Sequence, residues 1–325
     1  MNLALLGKFW RDSRWLLLGC VAVSATFAAI RVWLVAQLDT SRFRQILELL
    51  PGDFRAWSSV DFEWIVSYPG RLSFIFQEPL VHFCLFVWCI ARGSDAVAGE
   101  LDRGTGEMLL SQPVSRRRYL AWHVSLTLAG VVVIAGAVWG GQALGIHLIS
   151  AKQFDFARIG LSPSFGIPLP FLKPTERFVP MRELVDVGIM IPATVSFAAL
   201  GFLMAGFTTL ASACDRFRWR TIGIATGCYI VQTILKLLAT VVPSLGWLKF
   251  TTVFSAFEPE KFGAIADQAP AVRWAFILNE QAASAGTAAH GLGASGAIAL
   301  LLSLAAVCFV AAFVIFDRRD LPAPI

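Results

Sequence analysis

Three ionisable residues lie inside apolar stretches of the sequence, where a charge is costly and usually serves a function. They are Arg31, Glu78 and Lys236. Each lies about six or seven residues from the same end of its stretch, or roughly 10 Å deep at the rise of a helix. Equal depth allows Glu78 to pair with Arg31 or Lys236, and such a pair would gate or line a path across the membrane. Alternatively, both bases extend to the membrane surface and Glu78 lies in a wet vestibule.

The other reactive side chains form no catalytic or metal-binding pattern. The sequence has no Ser-His-Asp arrangement, no HExxH motif, no CxxC pair and no GxxxxGK[ST] phosphate loop. The six cysteines lie in or beside apolar stretches, which is typical of small buried residues. We therefore expect no enzyme activity, no metal and no cofactor bound by this chain. A metal site needs several converging ligands, and the four histidines are scattered along the chain, at His82, His123, His147 and His290.

The composition indicates a membrane protein. Hydrophobic residues make up 57% of the 325 residues and charged residues 15%, against about 25% in soluble globular proteins. This excludes a disordered chain, and 26 Gly and 6 Cys are too few for a collagen or a disulfide scaffold. The net charge is +5, but the basic residues flank apolar stretches, so we expect no nucleic acid as a partner.

Six apolar stretches are long enough to cross a membrane as helices, each needing about 20 residues. The sequence therefore predicts an all-α polytopic membrane protein with a single transmembrane domain over residues 1–325. Residues 1–14 have apolar and charged side chains at helical spacing, which predicts a separate amphipathic helix on the membrane surface. The predicted spans cover approximately residues 15–38, 72–91, 119–148, 187–212, 221–242 and 294–316.

The distribution of basic residues predicts the orientation. The side that holds both termini has 13 Lys and Arg residues, and the other side has 12. The first set lies in short segments next to helix ends, where positive charge favours the cytoplasm, whereas the second is spread over three long loops. We therefore expect both termini in the cytoplasm. The three long loops contain more residues than ordinary connections between helices, and we expect them to form a compact cap or short re-entrant helices.

The loop between the second and third spans contains a predicted short helix. Gly104 and Thr105 form a helix entry with Thr105 as the N-cap, and Leu109 and Leu110 give the helix an apolar face. A basic run that includes Arg116 follows. Exposed leucines with flanking charge on a short helix are suited to a groove on a soluble partner.

The loop contains a long run of residues that matches a known family pattern, at Glu100, Arg103, Gly104, Thr105, Glu107, Leu109, Leu110, Ser111, Pro113, Val114, Ser115 and Arg116. With these residues it resembles the corresponding loop of the type 2 permeases of ATP-binding-cassette (ABC) transporters. It departs from the family pattern at Gly106, usually apolar, and at His123, where lysine is common. Residues 8–14 resemble the family's N-terminal interface helix. Residues 316–321 resemble the closing motif of the branch that includes the permease for copper-site maturation of nitrous oxide reductase.

The resemblance implies a half-transporter, most simply an exporter, in the bacterial inner membrane and in contact with its lipids. It would pair with a second permease subunit as a homodimer or heterodimer. Residues 99–116 would dock as a coupling helix on a separate ABC ATPase subunit, present in two copies, which binds ATP and Mg. Contacts to the ATPase would come from Glu100, Arg103, Gly104, Thr105, Glu107, Leu109, Leu110, Pro113 and Arg116. The alternative is a signalling or assembly subunit that uses the same fold and moves no solute.

Overall fold

The computed structural model describes residues 2–38, 60–104, 115–155, 175–278 and 291–319. The fold is dominated by long helices, joined by short helices and two small hairpins. In chain order the α-helices are α1 (Asn2–Gln37), α2 (Phe62–Val66), α3 (Tyr68–Ser73), α4 (Pro79–Ser94), α5 (Glu100–Asp102), α6 (Arg116–Leu148), α7 (Met181–Leu184), α8 (Ile191–Cys214), α9 (Arg218–Val241), α10 (Pro259–Gln268) and α11 (Ala294–Arg318).

Among the described residues, six helical segments are long and apolar enough to cross a membrane, and each covers one of the predicted spans to within one residue at its end. The all-α polytopic architecture is therefore confirmed. The segments are Gly7–Gln37, Tyr68–Asp102, Arg116–Leu148, Val187–Cys214, Arg218–Val241 and Ala294–Arg318.

The loops at one end of the bundle carry short helices and hairpins. Strands β1 (Ser150–Asp155) and β2 (Thr175–Pro180) pair antiparallel, as do β3 (Ile277–Leu278) and β4 (Gly291–Leu292). Between α9 and β3 the chain forms 3-10 turns and helix α10. Helix α10 is buried against α8 and α3, so part of the last long loop is a packed element, in agreement with the expected cap.

The N-terminal segment does not form a separate surface helix, which corrects the sequence prediction for residues 1–14. Helix α1 runs without interruption for 36 residues, or about 54 Å. The segment has no Pro, and Ser13, a residue type that can cap a new helix, instead donates its hydroxyl to the carbonyl oxygen of Phe9 at 2.7 Å within the same helix. Instead, Phe9 is 2% exposed and packs against α6, so one face of this turn belongs to the protein core.

The second span is an interrupted helix, unlike the continuous helix over residues 72–91 that the sequence predicts. A 3-10 turn, Phe74–Gln77, follows α3, and Glu78 then adopts an extended backbone. The next residue is Pro79, whose ring disfavours helical geometry at the position before it. At the other end of α4 the chain forms a π-helical turn, Asp95–Gly99, which leads into α5.

The long helices pack around a core that includes Trp88, the largest fully buried side chain. Helix α8 contacts α11 and α4, and α1 contacts α6 along its length. Several of these contacts depend on glycine: a Cβ at Gly130 would overlap the Trp88 ring, and one at Gly145 would lie 2.8 Å from Val32. Helix α9 is mostly exposed in the single chain, with a row of large apolar side chains on its surface.

Candidate functional site

One end of the bundle brings together the start of α1, the π turn, the start of α6 and the end of α11; we call it the terminal end. Phe9 packs edge-on against Tyr119, with ring centroids 5.5 Å apart, and Tyr119 lies 6.3 Å from the ring of Phe316. These rings form an apolar cluster with Ala96 and Val97 of the π turn. The cluster therefore joins both ends of the described chain to the start of the predicted coupling segment.

Asp95 is the centre of an ion network at the terminal end. Its Oδ1 lies 2.7 Å from Arg103 Nη1 and 3.6 Å from Arg218 Nη1, and its Oδ2 lies 3.9 Å from Arg92 Nη1. The first contact is a charge-assisted hydrogen bond, which Arg103 Nη1 donates. One carboxylate therefore links α4, α9 and Arg103 of the predicted coupling segment.

Glu100 connects the same segment to α1. Its Oε1 lies 3.2 Å from Lys8 Nζ and 3.2 Å from Arg103 Nη2, and only 5% of the residue is exposed. A buried carboxylate is stable when cations and hydrogen bonds compensate its charge. The network therefore fixes the N-terminal boundary of the coupling segment from two sides.

The π turn is held to α8 by a single hydroxyl. Ser212 Oγ accepts hydrogen bonds from the backbone amides of Val97 at 3.1 Å and Ala98 at 2.9 Å. It also donates to the carbonyl oxygen of Ser94 at 3.0 Å. A π turn leaves backbone groups outside the regular helical pattern, and such turns are frequent at functional positions. Here a neighbouring span supplies the missing partners, so α8 supports the turn directly.

The C-terminal boundary of the coupling segment is tied to the end of α11. Arg116 Nη1 donates to the carbonyl oxygen of Arg319 at 2.6 Å, and Arg117 Nη2 lies 2.7 Å from Asp317 Oδ2. In turn, Arg319 Nη1 donates to the carbonyl oxygens of Ala213 at 2.8 Å and Asp215 at 3.0 Å. Charged side chains thus donate hydrogen bonds to carbonyl groups at the C-terminal ends of α8 and α11, where no backbone amide of the same helix is available.

The structure places only part of the predicted partner contacts. Glu100, Arg103 and Arg116 lie in the network or beside α11, and Gly104 has a positive φ of 70°, which suits glycine at the end of a helix. The remaining predicted contacts lie outside the described residues, namely Thr105, Glu107, Leu109, Leu110 and Pro113. Sequence reasoning missed Asp95, Ser212 and the role of Arg319. Asp95 was detectable as an acid at the end of an apolar stretch.

A pocket of about 410 Å³ opens beside the network, between α1, α4 and α9. Its lining includes Lys8, Arg92 and Arg218 together with Asp12 and Asp95. The mixed charges show that the pocket is an opening in an ion network and not a uniformly charged site. Across the described ranges of the chain, no group of three or more His, Cys, Asp or Glu side chains could hold a metal ion.

At the opposite end of the bundle, the structure brings Arg31 and Glu78 together. Arg31 Nη1 lies 2.9 Å from Glu78 Oε1, and about a quarter of each side chain is exposed. Glu78 can reach α1 because the helix break places it at the start of α4. Lys236 does not join this pair: its Nζ donates to the carbonyl oxygen of Phe257 at 3.0 Å. The contact between Arg31 and Glu78 is present, whereas a role in gating stays a prediction.

A buried carboxyl that sequence reasoning missed lies close to Lys236. Glu260 of α10 is 9% exposed and accepts a hydrogen bond from the amide of Gln77. Burial raises the pKa of Glu260 to about 7, although the nearby Lys236 charge and the Gln77 hydrogen bond act in the opposite direction. Its neighbour Lys261 pairs instead with Glu258, at 3.3 Å. No signal in the sequence identifies which acid of a long loop becomes buried.

Comparison with known proteins identifies a family. The sequence model described as "ABC-2 family transporter protein" matches residues 6–321, which is nearly the whole chain. The search of curated proteins finds no match.

Proposed function

Because the chain belongs to the ABC-2 family of transporter proteins, we propose that it couples ATP hydrolysis by a separate ATPase subunit to export. The chain is an integral membrane permease subunit with six spans. The observation that carries the proposal concerns the described residues at the two boundaries of the coupling segment, which spans residues 99–116. Both of its boundaries leave the membrane bundle at one place and are fixed there by ion pairs and backbone contacts.

This anchoring is what a mechanical contact requires. A displacement of the docked segment must move the spans, and the force passes only through contacts that are stiff on the permease side. The Glu100 and Asp95 ion pairs link the segment to α1, α4 and α9, and Ser212 links the π turn to α8. Arg116 links the far boundary to α11. Because the segment also begins in the second span and runs directly into α6, movement of this one short segment would reach all six spans.

The proposed assembly has two permease subunits and two ATPase subunits, with ATP and Mg bound only by the ATPases. We place the terminal end in the cytoplasm of a bacterial cell and the protein in its inner membrane, in line with the basic residues beside the helix ends. The closing motif at residues 316–321 supports a position near the branch that includes the permease for nitrous oxide reductase maturation. ATP-driven closure of the ATPases would then alternate the permease pair between inward and outward states.

Co-purification tests the proposal. The detergent-solubilised protein is captured with candidate ABC ATPases of the same genome, as wild type and as the double variant Glu100→Ala, Arg103→Ala. We expect wild type to retain an ATPase and the double variant to lose it, because the segment loses its anchoring at one boundary. Arg117→Ala is the matched control: it removes an exposed ion pair at the same end, outside the segment, and should retain the ATPase.

Two results would contradict the proposal. Capture of no ATPase by wild type removes the coupling function, and equal capture by the double variant removes the assigned boundary contacts. If an ATPase binds but its activity responds to no solute in reconstituted membranes, the signalling or assembly alternative is favoured over export.

A further inference from the structure

Arg92 is a buried arginine whose hydrogen-bonding capacity is largely unused. The residue is 4% exposed, and neither Nε nor Nη2 has a hydrogen-bond partner within the described residues. Its nearest carboxylate contact is Asp95 Oδ2, 3.9 Å from Nη1. The ring of Phe9 lies 5.9 Å from the guanidinium carbon and gives only a weak cation–π contact. Unsatisfied donors on a buried cation are costly, so this arrangement is less favourable than one in which Nε and Nη2 are paired.

Asp95 is within reach of Arg92 through Oδ2, but the orientation of the carboxylate is set by Arg103 and Arg218, which both contact Oδ1. Its closest partner is Arg103, at 2.7 Å, whose side chain is 43% exposed and which lies at the start of the coupling segment. Arg92 and Asp95 are three residues apart on the same helical face, a spacing that favours ion pairs. A small change of side-chain rotamer would bring them into full contact once Arg103 withdrew.

We propose that Arg92 is a positioning residue that takes Asp95 from Arg103 when the ATPase displaces the coupling segment. The inference rests on the proposed function and adds a two-state element to it. In the arrangement described here, Arg103 holds Asp95 and Arg92 is unsatisfied. In the displaced arrangement, Arg103 leaves with the segment and Arg92 donates to Asp95. Each state keeps one strong ion pair on the same carboxylate.

The π turn explains why the exchange would be confined to one place. Ser212 holds the amides of Val97 and Ala98, so the backbone after Asp95 stays attached to α8. Of the residues beyond the turn, Leu101 packs against the apolar cluster, whereas Glu100 and Arg103 are joined to the bundle by side-chain ion pairs, which re-form more readily than buried backbone hydrogen bonds. Because Arg92 gains the contact that Arg103 loses, the two states differ little in free energy. A modest input from the ATPase then suffices to shift the population.

The test compares the ATP dependence of the permease–ATPase complex in wild type and Arg92→Gln. The variant removes the partner that Asp95 needs in the displaced state and also removes the unsatisfied charge of the resting state. Both effects favour the resting state, so we expect the half-saturating ATP concentration to rise about tenfold, in line with the loss of one charged hydrogen bond. Capture of the ATPase should be unchanged, and Arg92→Lys should restore part of the ATP response.

A second readout separates this role from ordinary structural support. Arg71→Gln is the matched control, since Arg71 is a 6% exposed arginine in the same span whose Nη1 already donates to the carbonyl of Leu38 at 3.1 Å. We expect Arg71→Gln to lower the melting temperature of the isolated permease and to leave the ATP dependence unchanged. Arg92→Gln should not lower the melting temperature, because it removes a side chain that is unsatisfied in the resting state.

The failures are distinguishable. If wild type captures no ATPase, the proposed function and this inference both fall. If the complex forms and Arg92→Gln has the ATP dependence of wild type, this inference alone falls. It also falls if Arg92→Gln destabilises the isolated permease as much as Arg71→Gln does.

Discussion

The buried carboxyl of Glu260 makes the stability of the protein depend on pH. Its pKa is raised from 4.5 to about 7 in the folded state, mainly by burial. Below pH 4.5 the group is protonated in both folded and unfolded states and has no effect on their difference. Between about pH 4.5 and 7 the unfolded state loses this proton while the folded state keeps it, so stability falls as the pH rises. Above the folded pKa the loss is complete.

The size of the loss follows from the shift. A difference of about 2.5 pH units at 1.36 kcal/mol each corresponds to about 3 kcal/mol at pH 8. Glu260→Gln removes the titration and keeps a side chain that can accept the hydrogen bond from Gln77. We therefore expect the variant to be more stable than wild type at pH 8 and to match it near pH 4.5.

Melting of the purified protein in detergent across pH 4.5 to 8 measures this difference. The expected gain of Glu260→Gln over wild type at pH 8 is on the order of 5 °C. Glu258→Gln is the matched control, because its carboxylate is partly exposed and paired with Lys261, and it should not reproduce the effect. A constant offset between wild type and Glu260→Gln at all pH values would refute the reasoning.

Three further predictions concern single contacts, each checked by melting of the purified protein. Ser212→Ala leaves two buried amides of the π turn without an acceptor and should cost about 1–3 kcal/mol for each, with faster hydrogen exchange in that turn. Gly130→Ala would press a Cβ into an indole ring and cost about 1–3 kcal/mol, whereas Gly136→Ala, which has open space, should be neutral or stabilising. Glu78→Gln should lower the melting temperature by leaving Arg31 unpaired, and Arg31→Gln in the same chain should restore part of the loss.

Hydropathy predicted the six spans because a stretch of about twenty apolar residues is long enough to cross a membrane. Within the membrane such a stretch must satisfy its own backbone hydrogen bonds, which a helix does. The same reasoning failed for the first fourteen residues. An amphipathic pattern shows that one face is apolar, but it does not show whether that face meets lipid or protein. Phe9 meets protein, packing against Tyr119 and His123, and the helix continues into the span without interruption.

The functional residues were likewise predictable where local sequence was sufficient and not where the partner is distant in the sequence. Equal depth predicted that Glu78 could meet Arg31, and the two are in contact. The partner of Glu78 could not be decided, because the helix break at Pro79 changes the direction of the side chain. Ser212 was missed because its partners in the π turn are over 100 residues away in the sequence. Asp95 was missed because one partner, Arg218, is equally distant, and another, Arg103, lies beyond a turn whose π geometry has no sequence signature.

The packing of α1 against α6 restricts where a solute or lipid could leave the bundle sideways. A Cβ at Gly141 would collide with the carbonyl oxygen of Ala25, and Gly145 lies directly against Val32. Backbones in such close contact leave no width for an acyl chain, and separating them would expose a long apolar surface on both helices. In this arrangement the seam between the first and third spans is therefore closed at these two positions, and a lateral portal there would require the two helices to separate.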